Sequence, residues 1–513
     1  MGPYRTIRLI LHDFGLLLHV PGIMALLSIP ICLYFGEYYA IAPFLTTAIA
    51  AFALAQGFYR ANSPKVDKTR HYHAMLIVAL TWGVIPLLGA IPFVGIAALA
   101  ASADTSPTLL AFQNIWNALF EAFSGFTGTG LTMATDASLL PHSLQWWRSF
   151  TEWVDGIGVI VLMLALLTIE SSQTKSLETD PSQLYAAVGR QRTIGDTVRA
   201  TAKNILWIYS FYTGLSILLL ALLGMPLWEA INHGLTGIAT GGFSITTASF
   251  TSYSSTLQLA TIFIMITGAV SFPVHYQLLR RQRWTSLWQR NQHRLLLLLL
   301  GLGPCLLLLE NRWATASIPW LDSLFQWSSA VTTCGFNTAQ VQNWSMGAKL
   351  LLSAAMVMGG AAGSTAGGLK LHRIVLLLLG IRWHFQQLFI TADDNISYRI
   401  DDEALPASQA HEQVQSAAVL ASLWLLLLGI GIVVLTHLVS PIYTLEDVIF
   451  EAASATSNVG LSTGISDPTL HWGGKLMLIL LMWAGRLEII PVLLLGIAIC
   501  RPITQTLPEQ PSK

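Results

Sequence analysis

The sequence has few charged residues for its length. Only 11% of its 513 residues are Asp, Glu, Lys or Arg, whereas about a quarter are charged in a typical soluble domain. Acidic and basic residues number 27 each, so the formal net charge is zero, and no basic tract suits a nucleic-acid partner. With 53% hydrophobic residues and a mean hydropathy of +0.59, the composition predicts an integral membrane protein.

Cysteine is also scarce. The four cysteines each lie in or beside an apolar segment, and they are Cys32, Cys305, Cys334 and Cys500. No CxxC pair and no spacing typical of secreted proteins occurs. The sequence therefore predicts neither a disulfide framework nor a zinc site.

Long apolar runs fill most of the chain. Ten of them are long enough to cross a bilayer, which takes roughly 20 residues. The first is read as a retained helix because it lacks the small-residue cleavage site of a signal peptide. The predicted spans are 14–36, 38–59, 73–101, 147–170, 203–224, 256–280, 294–310, 347–379, 414–438 and 472–499.

Four shorter apolar stretches lie between certain pairs of spans. They begin near Ala111, Leu227, Leu321 and Leu445, and each leads into Thr, Ser and Gly. They are too short to cross the bilayer, so we predict re-entrant half-helices.

The basic residues predict the orientation. Lys and Arg concentrate at the N-terminus, in the tail, and in the connections 60–70, 175–203, 280–294 and 373–399. By the positive-inside rule, these connections and both termini face the cytoplasm. Every half-helix then enters the membrane from the outside.

The segments after the half-helices match one another. They read "SGFTGTGLT", "TGIATGGFS", "SAVTTCGFN" and "SATSNVGLS", and they align on Gly130, Gly242, Gly335 and Gly460. The fold predicted from this repetition is an all-α integral membrane protein. It has four pseudo-repeats of helix, re-entrant pore helix with filter loop, and helix around a central pore, plus two extra N-terminal transmembrane helices. The predicted units are 1–70, 71–175, 176–290, 291–400 and 401–513.

Irregular backbone survives in a membrane core only where protein buries it or where it lines a path. Four loops that meet on one axis can offer a cation a ring of carbonyl oxygens in place of its hydration shell. The negative ends of the half-helix dipoles favour a cation at the same place. We predict that the cation binds the backbone carbonyls of the two residues before each glycine, which are Gly128, Thr129, Thr240, Gly241, Thr333, Cys334, Asn458 and Val459.

Three motifs carry a family resemblance. They are "WWRSFTEWVDGIGVIVL" at 146–162, "GGAAGSTAGGLKLHR" at 359–373 and "GRLEI" at 485–489. Over nearly its whole length the chain resembles the Trk/Ktr/HKT superfamily of potassium transporters, and specifically the bacterial TrkH-type subunits. In that superfamily four filter glycines favour potassium, whereas serine at the first is associated with sodium passage. The resemblance implies potassium uptake across a bacterial inner membrane, no enzymatic activity and no organic cofactor.

Five glycines interrupt the span 347–379. Each costs a helix about 1 kcal/mol relative to alanine. One interpretation is a packing kink or a small-residue helix contact, and the other is a flexible loop that blocks the path. The resemblance favours a gate below the filter, made of Gly359, Gly360, Gly363, Ser364, Gly367, Gly368 and Lys370. Lys370 would add a repulsive charge at the cytoplasmic exit.

An arginine, Arg486, lies inside the last span. A charged residue in such a position is a functional-site hypothesis by default, and the alternative is an arginine held structurally by backbone carbonyls. Glu488 follows two residues later and does not face it on a helix. The resemblance implies that Arg486 lowers cation occupancy beneath the filter.

Other acidic residues leave alternatives open. Asp155 departs from the glycine common at this position in similar proteins, and it either pairs locally or lies in a vestibule near Glu152. The half-helix residues Glu121, Glu229 and Glu451 either hold the filter loops through backbone N–H groups or cap helices at a solvated outer mouth.

Two other function classes are alternatives to potassium uptake. An ion-coupled secondary transporter of another substrate would use inverted repeats, whereas these repeats share one topology. A haem-bearing respiratory subunit would need paired histidines, and the 13 histidines mostly flank the spans. Passive and proton-coupled flux both remain open. The resemblance also implies a homodimer and a cytosolic TrkA-like regulator that binds NAD or ATP and docks on the basic connections.

Overall fold

The computed structural model describes residues 3–62, 71–100, 106–173, 198–282, 284–314, 318–389, 397–401 and 403–500. Regular structure in these ranges is helical, apart from the antiparallel two-residue strands β1 (Arg399–Ile400) and β2 (Glu403–Ala404). The helices are α1 (Pro3–Leu17), α2 (His19–Tyr34), α3 (Ile41–Ala61), α4 (His71–Gly89), α5 (Ile91–Leu99), α6 (Pro107–Leu110), α7 (Ile115–Phe126), α8 (His142–Gln173), α9 (Val198–Leu222), α10 (Leu227–Ala239), α11 (Ser255–Ala269), α12 (Phe272–Arg281), α13 (Asn291–Trp313), α14 (Trp320–Thr332), α15 (Met346–Met358), α16 (Leu371–Phe389), α17 (Ala407–Leu438), α18 (Leu445–Ser457), α19 (Trp472–Arg486) and α20 (Ile490–Cys500).

Long apolar helices confirm a multi-pass membrane protein. Within the described ranges, six helical segments are long and apolar enough to cross a bilayer, and two bent helix pairs would raise the number to eight. The first two of these segments match the two extra N-terminal helices of the prediction. The six are Ile7–Tyr34, Tyr38–Ala61, Tyr72–Leu99, Ala200–Leu222, Asn291–Trp313 and Ala407–Leu438.

Two predicted spans are not continuous helices. The span 256–280 is divided into α11 and α12, which meet at 105°, and the span 472–499 is divided into α19 and α20, which meet at 114°. Each of these two spans is therefore a bent pair of helices and not one continuous helix.

Proline explains both breaks. Proline has no backbone N–H, and in a continuous helix its ring clashes with the carbonyl four residues earlier. Pro273 and Pro491 are each the second residue of the second helix, so this clash falls at the end of the first helix. At the second break Glu488 and Ile489 adopt left-handed φ angles of 60° and 68°. A β-branched residue rarely accepts that conformation, so tertiary contacts must hold the bend at Ile489.

The four half-helices are present as α7, α10, α14 and α18. They have 12 or 13 residues each, and most of those residues are buried. Three begin within one residue of the predicted start. The first begins later, at Ile115, because the side chain of Asn114 caps it by accepting a hydrogen bond from the amide of Trp116 at 3.0 Å.

The hydrophobic core runs across the predicted repeat boundaries. One buried cluster joins Phe44 of α3 and Phe120 of α7 to Leu478 of α19. A second joins Phe250 to Phe336 of the next repeat, and a third joins Val331 to Val459. Neighbouring repeats therefore bury one another's apolar faces, and the unit boundaries stay a prediction. Much of the basic connections 60–70 and 175–203, and the tail after 500, lies outside the described residues, so the orientation also stays a prediction.

Candidate functional site

The segments after the half-helices share one backbone conformation. We call residues 127–132, 239–244, 332–337 and 457–462 the glycine turns. The residue two before each central glycine has a left-handed φ, namely +57° at Gly128, +53° at Thr240, +55° at Thr333 and +54° at Asn458. The central glycines are left-handed too, with φ of +82° at Gly130, +88° at Gly242, +86° at Gly335 and +95° at Gly460.

One hydrogen bond recurs in all four glycine turns. The backbone N–H of the residue before the central glycine donates to the carbonyl of the residue five positions before it, inside the half-helix. Many helices end with a hydrogen bond of this kind. The bonds are Thr129 to Ser124 at 2.9 Å, Gly241 to Thr236 at 2.9 Å, Cys334 to Ser329 at 3.0 Å and Val459 to Ser454 at 3.0 Å. The turns therefore share a path although their side chains differ.

The four glycine turns close into a ring. A β-carbon built on each central glycine would overlap a backbone carbonyl oxygen of the next turn, and the fourth turn meets the first. The pairs are Gly130 with Gly241, Gly242 with Cys334, Gly335 with Val459, and Gly460 with Thr129. Only glycine combines a left-handed φ with so close an approach. The ring brings together four of the eight carbonyls predicted to bind the cation, and the other four belong to the preceding residue of each turn.

A side chain nine residues before each central glycine contacts either the end of its glycine turn or the residues that follow the turn. Glu121 accepts a hydrogen bond from the amide of Met133 at 2.7 Å. Glu451 accepts from the amides of Thr463 and Ser466, both at 3.1 Å. These contacts favour the interpretation in which the half-helix acids hold the loops.

The other two repeats place different residues at the same position. His233 Nε2 lies 3.0 Å from Ser244 Oγ, and Gln326, in the amide orientation that satisfies both of its polar atoms, accepts from the amide of Thr338 at 2.8 Å. Glu229 instead accepts a hydrogen bond from the hydroxyl of Tyr253. Sequence reasoning missed His233 and Gln326, although their position nine residues before the glycine was a visible signal.

A buried ion pair joins the first two glycine turns. Arg148 Nε lies 2.7 Å from a carboxylate oxygen of Glu121, and both side chains are almost fully buried. Its Nη1 donates to the carbonyl of Ser244 at 2.8 Å, and its guanidinium lies 4.1 Å from the ring centre of Phe243. The nearby Glu152 accepts from the amide of Phe243 at 3.1 Å. Helix α8 thus positions both turns.

The glycine loop, residues 359–370, connects α15 to α16 and contacts three of the four glycine turns. The amide of Gly367 donates to Thr333 Oγ1 at 2.7 Å, and the amide of Gly368 donates to the carbonyl of Ser457 at 2.9 Å. Thr240 Oγ1 donates to Thr365 Oγ1 at 3.1 Å. The loop therefore lies against the turns where they leave their half-helices.

Close approach explains the glycines of this loop. A β-carbon on Gly367 would overlap the carbonyl of Ser457, and one on Gly359 would overlap the carbonyl of Gly367. Residues 359–370 contain no helix, so a helical small-residue contact does not account for them. Gly359, Gly363, Gly368 and Lys370 have left-handed φ angles between 68° and 79°. The ammonium of Lys370 donates to the carbonyl of Ala366 within the loop, and Ser364 Oγ donates to Ala361 at 2.6 Å.

Arg486 contacts both the glycine loop and α8. Its Nη1 donates to the carbonyl of Thr365 at 3.0 Å, and its Nη2 lies 2.6 Å from Asp155 Oδ2. The two-residue spacing predicted only that Glu488 is not the sole partner of Arg486, and in the structure Glu488 contacts Arg373 at 2.5 Å. Sequence reasoning left the partner of Asp155 open, because the two paired residues are 331 positions apart in the chain.

Comparisons with known proteins agree with this architecture. The model of the TrkH family, described as a cation transport protein, matches residues 44–502. The chain is 33% identical over 495 residues to an uncharacterised cation transporter of Methanocaldococcus jannaschii, covering 96% of this chain and 95% of that one. It is 30% identical over 507 residues to the Trk system potassium uptake protein TrkH of Halomonas elongata, covering 96% and 98%.

A solved structure shares the fold. The crystal structure of the potassium transporter TrkH from Vibrio parahaemolyticus superposes with a TM-score of 0.80, at 24% identity, covering 97% of this chain and all of that one. Together with the match over residues 44–502, the four matched glycine turns indicate a transporter and not an enzyme. The chain belongs to the TrkH family of cation transport proteins.

Proposed function

We propose that this protein carries potassium selectively into the bacterial cytoplasm through the ring of glycine turns. The supporting observation is that each central glycine packs against a backbone carbonyl of the next glycine turn, and that the fourth turn packs against the first. The relatives named as potassium uptake proteins support potassium as the transported ion.

The physical argument concerns dehydration. Moving a bare ion into a low-dielectric interior costs on the order of 20 kcal/mol in the idealised Born limit, and a ring of carbonyl oxygens offsets most of that cost. The ligands we propose are the carbonyls of the residues one and two positions before each central glycine. These residues are Gly, Thr, Cys, Asn and Val, so the feature that they share is the backbone carbonyl and not a side chain.

Growth of a potassium-uptake-deficient bacterium at low potassium tests this function. Expression of the protein with its proper regulator is expected to rescue growth, and absence of rescue by well-expressed protein would contradict the proposal.

Gly130→Ser tests the assignment of the filter. A β-carbon at this position meets the carbonyl of Gly241, so the variant is expected to admit more sodium while still transporting potassium. An unchanged sodium-to-potassium ratio would overturn the assignment.

We also propose that the glycine loop is the barrier to flux in the resting state. The contacts that support this are those of Gly367, Gly368 and Thr365 with three glycine turns. Deleting residues 360–363 removes part of the barrier and leaves the turns intact. Basal flux is expected to rise while the ion preference stays the same. Basal flux at the parental level in a folded deletion variant would place the gate elsewhere.

The remaining parts of the proposal concern partners and energetics. A cytosolic nucleotide-binding regulator would dock on the basic connections, and the membrane subunit would form a homodimer in the inner membrane. Native pull-down is expected to recover such a regulator, and its repeated absence would count against this part.

Potassium flux into liposomes with and without a pH gradient distinguishes passive from proton-coupled transport, because only the coupled process changes its driving force with the gradient.

A further inference from the structure

A buried aspartate of α8 lies beside the first glycine turn. Asp155 is 3% exposed. Its Oδ1 accepts a hydrogen bond from Trp82 Nε1 at 2.9 Å, and its Oδ2 lies 2.6 Å from Arg486 Nη2. These three residues come from α8, α4 and α19. The carboxylate is therefore fixed on one side by a neutral donor and on the other by a buried cation.

The cation of this pair also binds the glycine loop. Arg486 Nη1 donates to the carbonyl of Thr365 at 3.0 Å, and the remaining nitrogen, Nε, has no hydrogen-bond partner among the described residues. The guanidinium is planar and rigid, so the Asp155 and Thr365 contacts together fix its orientation. Besides this ion pair, Arg486 Nη2 makes a long hydrogen bond of 3.4 Å to the backbone carbonyl of Asp155.

The ion pair adjoins the first glycine turn. A β-carbon built on Gly128 would lie 2.7 Å from Asp155 Oδ2 and 3.8 Å from Arg486 Cζ. Gly128 is one of the residues whose carbonyl we assign to the cation. An uncompensated guanidinium beside this turn would repel a cation leaving or entering the ring, and the low-dielectric surroundings would strengthen that repulsion.

We propose that Asp155 is a positioning residue for ion conduction. Its negative charge neutralises the positive charge that Arg486 would otherwise present to a cation in the pore. It also holds the guanidinium of Arg486 against the carbonyl of Thr365. This inference rests on the proposed potassium transport and adds to it a named determinant of ion occupancy below the ring. Arg486 alone would disfavour the cation, whereas the Asp155–Arg486 pair presents no net charge to it.

The test is the concentration dependence of potassium uptake into liposomes that contain the purified protein. Asp155→Asn keeps the shape of the side chain and removes its charge. It is expected to raise the half-saturating potassium concentration by about tenfold, the scale of one unit charge roughly 12 Å away at an effective dielectric constant of about 20. Trp153→Phe is the matched control, because it removes an indole hydrogen bond of the same helix, to Thr213 Oγ1 at 3.0 Å, and leaves the ion pair. Its half-saturating concentration is expected to stay near the parental value.

The same exchange in an Arg486→Gln background separates the proposed role from two others. Asp155→Asn is expected to cause no further rise there, because no positive charge remains to be cancelled. A similar rise in both backgrounds would mean that Asp155 attracts the cation directly, and equal effects of Asp155→Asn and Trp153→Phe would mean a merely structural role. Either result overturns the inference. If the parental protein itself transports no potassium, the proposed function fails. If it transports potassium and Asp155→Asn changes nothing, only this inference fails.

Discussion

The carbonyl oxygen of Val459 lies so close to Gly335 that a β-carbon on this glycine would overlap it. The two residues belong to the fourth and third repeats, and the same relationship recurs at the three other junctions of the ring. Close packing of backbone groups, which only glycine permits, is thus the contact that all four junctions share.

Gly335→Ala is expected to disrupt the ring. The left-handed φ of +86° already costs an L-residue about 1–2 kcal/mol, and the added carbon must displace Val459. Discrimination between potassium and sodium is expected to fall in a liposome uptake assay. Gly301→Ala is the matched control, because Gly301 lies in α13 of the same repeat with nothing within 4 Å of the added carbon. Equal behaviour of the two variants would contradict the ring.

The side chain of Glu451 is expected to maintain the fourth glycine turn. Glu451→Ala leaves the buried amide of Thr463 without its acceptor, which costs about 1–3 kcal/mol. Glu451→Gln keeps an acceptor oxygen, as Gln326 does in the third repeat, so its loss of stability is expected to be smaller. Thermal unfolding of the detergent-solubilised protein measures both. Glu446→Gln in the first turn of the same half-helix is the control, and a result for Glu451→Ala no larger than this control would rule out the brace.

Thr365 is expected to hold the glycine loop closed. Its hydroxyl donates to the carbonyls of Ile238 at 3.1 Å and Gly268 at 2.9 Å. Thr365→Val removes this donor at constant shape, and the loss of about 1 kcal/mol predicts roughly a fivefold rise in basal flux. Thr267→Val is the control, since that exposed hydroxyl bonds only within its own helix, to Phe263. Unchanged basal flux in Thr365→Val would remove this residue from the gate.

Breaking the Arg148–Glu121 pair is expected to destabilise the protein strongly. Arg148→Gln leaves the fully buried carboxylate of Glu121 without its cation, which typically costs about 3–5 kcal/mol. Adding Glu121→Gln is expected to recover part of the loss, because no lone charge then remains. The exposed Arg312 provides the control variant Arg312→Gln. Thermal unfolding measures all three, and additive losses in the double variant would contradict a direct pairing.

The sequence was sufficient for the features that leave a local signature. The half-helix at Leu445 was visible because its apolar run is too short to span and ends in small residues and glycine. The break in the span 347–379 was visible because five glycines weaken a helix by several kcal/mol in sum, at about 1 kcal/mol each.

Other features have no local signature in hydropathy. The bends after Ala269 and Arg486 lie in apolar sequence that looks continuous, and only Pro273 and Pro491 hint at them. The pairing of Asp155 with Arg486 depends on how two distant repeats meet, and no spacing along the chain encodes it. His233 and Gln326 were missed because they brace their turns with chemistry that differs from that of the glutamates in the first and fourth repeats.

The position of a bound permeant ion tests the central claim most directly. Thallium resembles potassium in charge and size, and its anomalous scattering would locate it in crystals grown with thallium in place of potassium. We expect a peak on the axis of the ring, coordinated by the backbone carbonyls of Thr129, Gly241, Cys334 and Val459. A peak held by side chains away from the ring, with none on its axis, would show that the ring is not the ion-binding site.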